Sequence, residues 1–364
     1  MQVKDITNII EEFAPLSYQE SYDNSGLIVG NANDQVTGVL ISLDCVEEIL
    51  EEAIATNCNM IVSHHPIVFS GLKRFNGNNY IERTVIKAIK NGIAIYAVHT
   101  NLDNVQNGVS FKIAEKIGVK NCRTLEPKKG LLSKIVTYCP VDKSEEVRQA
   151  MFDSGAGNIG NYDECSYNSE GIGTYKGKTG TNPYVGIIGQ FHQEKEIKIE
   201  TIVPNHKVNK VINSLIEAHP YEEVAYDVYQ LANKHQNVGS GVIGELEVEE
   251  DEMDFLNRIK TDLKTDCIRF TNLKGKKIKR VAICGGSGSF LLNKAIAASA
   301  DFFITGDFKY HQFFDADNQI IIADVGHYES EQFTSELIYE ILNEKIPNFA
   351  VRLTAKNTNP LNYL

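Results

Sequence analysis

The sequence predicts an α/β fold: two related α/β halves, residues 1–128 and 233–364, forming one domain that is interrupted by an inserted ferredoxin-like α+β domain at 129–232. Three observations predict it. Short continuous apolar runs alternate with helical-period segments in the first third, the pattern of a sheet covered on both faces. The last third repeats that alternation, with polar residues after the corresponding runs. Between them the order changes to strand–helix–strand–strand–helix–strand, the ferredoxin-like sequence of elements.

Local pattern justifies each element. Ile6, Ile9, Ile10 and Phe13 fall at helical spacing, giving a helix over 4–13. A turn-rich SYDNSGL precedes a buried strand from Val39 to Leu43. Val46, Ile49, Leu50, Ala53 and Ile54 share one face of a helix over 46–56. The apolar run 59–62 stops at Ser63-His64-His65-Pro66, and a helix over 81–90 leads to a strand from Ile93 to Val98. In the second half, Lys279 to Cys284 is a strand running into Gly285-Gly286-Ser287-Gly288-Ser289, followed by a helix over 290–299. Phe302 to Thr305 precedes Gly306-Asp307, and Ile320 to Ala323 precedes Asp324-Val325-Gly326-His327. AIATNCNMIVSHHP aligns with AIAASADFFITGDF, and AIYAVHTNLD with IIIADVGHYESE. In the insert, 134–140, 165–176, EIKIETIVP and VAYDVYQL read as strands, with helices at 144–152 and VNKVINSLIEAHP. About one hundred residues suffice for such a domain.

The 364 residues suit two domains, and 42% apolar with 23% charged residues can bury a sizeable core. Lys and Arg number 36 against 48 Asp and Glu, a net charge of −12. This balance argues against nucleic acid or an anionic membrane as partner. No run approaches the roughly 18–20 apolar residues of a membrane span. MQVKDITNIIEEFAP lacks a secretory h-region, so a cytoplasmic location is expected. The seven cysteines are scattered without a C-x-x-C pair, which disfavours a disulfide framework and a zinc ribbon.

Histidines and carboxylates concentrate after strands in three places: His64-His65, His99 with Asp103, and His327 with Glu331. Adjacent histidines in an extended segment point to opposite sides, so one ion would not readily take both, whereas two ions could take one each. The spacing of His327 and Glu331 puts both on one helical face if a turn has begun there. Imidazoles and carboxylates without thiolate suit Zn, Mn, Fe or Co, and Glu331, the longer acid, is the natural bridge. Two such ions sharing a water would lower its pKa towards 7 and supply a nucleophile near neutral pH. His99 and His311 are candidates to support the ligand imidazoles. The bland readings stand beside these. His192, His206 and His235 read as ordinary surface or core histidines, and a separate site at His219 in HPYEE is the minor reading there. The glycine loop at 285–289 offers N–H groups to phosphate but lacks a P-loop lysine, and a tight turn explains it equally well. Ser63 and Ser289 have no dedicated His–Asp relay, which disfavours a serine hydrolase.

SYDNSGLIVG, SHHPIVFSGLKRF, HTNLDN, ITGDFKYHQ and DVGHYESE occur in one order, and this series resembles the NIF-three family of dinuclear-metal-centre proteins, whose members carry the name GTP cyclohydrolase I type 2 homologue. The resemblance covers both halves, and HPYEEVAYDVY resembles the inserted domain of longer members, similar to the PII/CutA-like fold. It implies two divalent ions per subunit, zinc foremost with iron, manganese or cobalt as alternatives. The implied ligands are His64 and His65, one to each ion, with Asp103, His327 and a bridging Glu331. His99 shares the Asp103 motif, while Asp44, Asp307 and His311 match pocket or supporting positions. A homohexamer of two stacked trimers is also implied. Tyr22, Asn104 and Ser330 depart from the usual pattern without removing a ligand.

These residues predict a metal-dependent hydrolase in which Glu331 and Asp103 help activate water. The family name implies a small-molecule substrate, a nucleotide such as GTP. The alternative is a non-catalytic metal-binding assembly, regulatory or chaperone-like, whose insert gates the cavity or senses a ligand. About five ligands for two ions leave open positions, which favours catalysis.

Overall fold

The computed structural model describes residues 1–364, which divide into two compact units, Met1–Pro127 with Asn237–Leu364, and Lys128–Gln236. The first unit begins with α1 (Val3–Phe13), β1 (Gly26–Val29), β2 (Val39–Ser42), α2 (Glu47–Ala55) and β3 (Met60–Ser63). It continues through α3 (Tyr80–Lys90), β4 (Ala94–Ala97), α4 (Thr100–Asp103), α5 (Val109–Lys116) and β5 (Val119–Lys129). The insert follows with β6 (Leu132–Pro140), α6 (Ser144–Asp153), β7 (Ser166–Lys176), β8 (Phe191–Pro204), α7 (Val208–Ala218) and β9 (Tyr226–Gln230). The chain then resumes the first unit with β10 (Lys234–Asp251), α8 (Glu252–Asp262), β11 (Arg269–Phe270), β12 (Lys277–Ser287) and α9 (Leu292–Ala297). Its last elements are β13 (Phe302–Gly306), β14 (Ile321–Asp324), α10 (His327–Glu331), α11 (Thr334–Lys345) and β15 (Val351–Leu353).

The first unit holds two sheets, ordered β1-β4-β3-β2-β15 and β11-β14-β13-β12-β10-β5. The correspondence expected from the two sequence alignments appears in this order. Parallel β2, β3 and β4 run beside antiparallel β1, as parallel β12, β13 and β14 run beside antiparallel β11. Every residue of β2, β3, β4, β13 and β14 is buried, which is why these strands read as continuous apolar runs. Alternate side chains serve different layers. Val39 and Ile41 join Phe302 and Ile304 in the central core with α1, α5 and α11, whereas Leu40, Ile61 and Ile95 pack under α2 and α3. Ala282, Phe303 and Ile322 face α9.

Several elements escape the sequence reading, among them β1, α5, β5, β11 and β15, and two show why. β10 ends in the acidic tract EVEED, which hides its buried centre at Val242, Ile243 and Leu246. α8 buries Phe255, Leu256 and Ile259 on one side of an otherwise polar segment. The glycine stretch also differs from expectation, because β12 continues through Gly285 and Gly286 to Ser287.

The insert is one antiparallel sheet of order β7-β8-β6-β9, the ferredoxin-like order expected. Ile135, Cys139, Ile199 and Val203 bury one face against Val147 and Met151 of α6 and Val211 and Leu215 of α7. No helix of the chain is long and apolar enough to cross a membrane.

Candidate metal centre

The candidate donors sit where strands of the first unit end, the edge at which open α/β sheets bind ligands. His64 and His65 follow β3, His99 caps α4 after β4 and Asp103 closes that helix. After β14, Gly326 at φ 95° turns the chain into α10, whose five residues begin with His327 and end with Glu331. The helical turn required for these two side chains to share a face has therefore begun.

Each of four imidazoles has its Nδ1 engaged by an oxygen. His64 Nδ1 donates to the Val98 carbonyl at 2.8 Å, and His65 Nδ1 to Asp44 Oδ1 at 2.8 Å. His99 Nδ1 lies 2.7 Å from Asp23 Oδ1, and His327 Nδ1 2.7 Å from Asp307 Oδ2. Such bonds fix the tautomer and leave Nε2 as the nitrogen that can bind a cation.

Three of those nitrogens, from His64, His65 and His327, converge on Glu331. Its Oε2 is 3.0 Å from Nε2 of both His65 and His327, while its Oε1 is 3.8 Å from His64 Nε2, itself 3.7 Å from Asp103 Oδ1. Two donor groups result, His65–His327–Glu331 and His64–Asp103–Glu331, each with its atoms within 4.8 Å of one another. His64 and His65 also group with His99. The strict alternation expected of the doublet does not hold, because β3 has ended at Ser63; the two rings lie 4.9 Å apart between centroids.

The donor set fits divalent cations on one observation above others. His64 Nε2 and Asp103 Oδ1 are buried and have no hydrogen-bond partner. With Nδ1 donating elsewhere, the His64 Nε2 lone pair faces a carboxylate oxygen, an arrangement that a cation between them relieves. Ligand bonds of about 2.0–2.2 Å hold donors roughly 3–3.5 Å apart, close to the separations present.

The charges point the same way. Burial is the largest influence on Asp103 and raises its carboxyl above the ordinary range, with Glu331 adding and His64 opposing. Burial would raise Glu331 too, but the charge of His327 and the hydrogen bonds from His327 and His65 hold it well below that range. Burial pulls His65 and His327 down, yet the carboxylates beside them push these imidazoles up to about 9 and about 11.

The structure thus brings together His64, His65, Asp103, His327 and Glu331. Asp44 and Asp307 orient His65 and His327. His99, expected only in support, has a ring nitrogen in the cluster. His311 does not join; its ring lies against Tyr310 and Phe314 on an exposed 3-10 turn. Two residues escaped the sequence reading. Asp23 accepts from His99, Thr100 N and Thr100 Oγ1, anchoring the loop before α4. Thr358 donates to Asp44 Oδ2 at 2.6 Å and so steadies the partner of His65. The acid inside SYDNSGL was the available signal for Asp23; Thr358 had none.

The glycine loop has a different purpose from either reading. Gly286 has φ +60°, and a Cβ there would stand 2.3 Å from Glu331 Oε1. Its N–H donates to Ser330 Oγ at 2.9 Å, and the Gly288 N–H to Thr305 Oγ1 at 2.9 Å. These N–H groups are engaged within the protein, and the missing side chain makes room for Glu331. Ser63 Oγ donates to the His65 carbonyl, so it has no histidine base, as expected.

The model of the Duf34/NIF3 (NGG1p interacting factor 3) family matches residues 1–360. A protein of Halalkalibacterium halodurans named GTP cyclohydrolase 1 type 2 homolog is 35% identical over 99% of this chain and 98% of its own. A Bacillus subtilis protein of the same name is 32% identical over 99% and 98%. A Bacillus cereus crystal structure described as related to NIF3 superimposes with a TM-score of 0.88 at 36% identity, covering 100% of this chain and 99% of the other.

Proposed function

This chain belongs to the Duf34/NIF3 family, and from that premise and the donor geometry we propose that it is a hydrolase working with two divalent cations. The buried, unpartnered His64 Nε2 and Asp103 Oδ1 beside a carboxylate shared by two donor groups carry the reading. His65, His327 and Glu331 would hold one cation, and His64, Asp103 and Glu331 the other, with His99 beside them. Divalent ions so held supply Lewis acidity that activates water and polarises a substrate oxygen. The chain's own residues orient this centre. The Val98 carbonyl, Asp44 and Asp307 fix imidazole orientation, and the His327 side, 37% exposed, is where a substrate approaches. Zinc suits the donors, with iron, manganese and cobalt as alternatives.

The substrate has an electrophilic carbon or phosphorus. GTP is a candidate through the relatives' name, although the Gly286 and Gly288 N–H groups that would meet its phosphates are engaged within the protein. We assign residues 1–128 and 233–364 to one metal-binding domain and 129–232 to a PII/CutA-like insert, in a cytoplasmic homohexamer of two trimers. Sedimentation of the full chain reads that last assignment, and a monomer removes it.

The test assays chelated and metal-reloaded protein for GTP ring opening beside phosphoester and amide hydrolysis. Activity should vanish on chelation, return on reloading and be absent in His65→Ala. Activity that survives both treatments overturns the reading, whereas bound metal with no turnover leaves the non-catalytic assembly.

A pH effect accompanies cation binding. His65 and His327, pushed up to about 9 and about 11, are protonated near neutrality in the metal-free chain, whereas a metal-bound imidazole is unprotonated at the coordinating nitrogen. Loading should therefore release protons, and affinity should rise as pH climbs through about 9, where His65 loses its proton, and on towards about 11, where His327 does. Calorimetry in two buffers of different ionisation enthalpy counts those protons; a count of zero contradicts the assignment.

A further inference from the structure

The insert contains a cleft that the metal centre does not use. It encloses about 610 Å³, within the range of small-ligand sites, and Tyr138, Tyr175, Tyr184 and Tyr221 line it. Tyr221 sits centrally, with ring centroids 6.3 Å from Tyr175 and 6.2 Å from Tyr184. Such a wall offers π faces to whatever enters.

Glu196 of β8 also lines the cleft and is only 9% exposed. Its Oε1 accepts from the Tyr221 hydroxyl at 2.9 Å. A Cβ on Gly173 would stand 2.1 Å from its Oε2, so the carboxylate fills space that a glycine on the neighbouring strand leaves open.

No cation of the chain neutralises this carboxylate. Of the two lysines that line the cleft, Lys198 is paired with Glu200, and Lys176 lies opposite Phe191, five positions along the ladder from the Gly171 that pairs with Glu196. His219 is fixed neutral by its bonds: Nδ1 accepts from the Tyr221 N–H, and Nε2 donates to the Tyr138 carbonyl. Glu222 and Glu223 add further negative charge to the lining. A buried carboxylate without a counter-charge is costly, and aromatic faces attract cations.

We propose that this cleft binds a small organic cation, an amine or guanidinium on a compact body, with Glu196 as its counter-charge and the tyrosine rings as its walls. Ligand size is set by the cleft, charge by Glu196, and tolerance for an apolar body by the rings. The site is independent of the metal centre and of hydrolysis.

Calorimetric titration of the full chain with agmatine and with phenethylamine tests it, using phenethyl alcohol and phenylacetate as uncharged and anionic counterparts. Saturable binding of the cations is expected, with the two counterparts at least about tenfold weaker. Glu196→Gln, which keeps volume and hydrogen bonding, should weaken the cations about tenfold or more. Tyr184→Ala, at a half-exposed ring, should weaken them about two- to thirtyfold. Melting curves identify any variant that fails to fold, and Tyr184→Ala then decides alone. No saturable binding of either cation, equal binding of the alcohol, or parental affinity in the folded variants overturns the proposal.

Discussion

Glu331→Gln is expected to strip both cations, while Asp103→Asn strips one. The reason lies in how the donors are shared. Glu331 gives Oε2 to the group of His65 and His327, and Oε1 to the group of His64 and Asp103, so one side chain belongs to both. Glutamine matches its volume and fits the same space beside Gly286, but it removes the negative charge that both cations share, and its amide nitrogen offers no lone pair to the second of them. Loss of a mere supporting partner costs about 10–100-fold in metal affinity, so loss of the shared ligand should exceed about 100-fold at both positions. Asp103 belongs to one group only, and His65 with His327 should keep their cation in Asp103→Asn. Metal content per chain, measured by elemental analysis after dialysis, separates the outcomes. Full occupancy in Glu331→Gln, or equal losses in both variants, would refute the shared-carboxylate arrangement.

The candidate donors were legible in the sequence because the fold writes them in one place. A fully buried strand must read as continuous apolar residues, so the abrupt change to His64-His65, His99 and His327 marks the sheet edge. The two halves repeat that change, and the strand orders repeat with it. What stayed hidden depends on residues far apart. His99 looked like a supporting residue because its orientation is set by Asp23, 76 positions earlier. His311 looked eligible by motif, but its turn directs the ring to Tyr310 and Phe314. The insert cleft was invisible for the same reason: Glu196 gains its surroundings from Gly173 and Tyr221, on different elements. Composition suggests donors; only pairing and register show which oxygen faces which nitrogen.

Gly286 supplies the sharpest test of that register. Gly286→Ala should empty the metal centre, although the substitution adds one methyl group and replaces no donor. Two effects act on it. An alanine at φ +60° costs about 1–2 kcal/mol of backbone strain, and its Cβ would meet Glu331 Oε1 at 2.3 Å. Gly92 separates them, since it has φ +62° and nothing within 4 Å of an added Cβ. Gly92→Ala should therefore lose about 1–2 kcal/mol of stability and keep its full metal content. Gly286→Ala should lose at least as much, because overpacking adds about 1–3 kcal/mol, and should also lose metal, because Glu331 has to move. The carboxylate has little room to retreat: it is buried, Gly285 lies against its Cγ at 3.5 Å from an ideal Cβ, and His65 and His327 hold its Oε2. Denaturant melts and metal analysis on the two variants give the comparison. If Gly286→Ala retained both cations, Glu331 would not be held against this strand, and making room for its carboxylate could not be what the glycine is for.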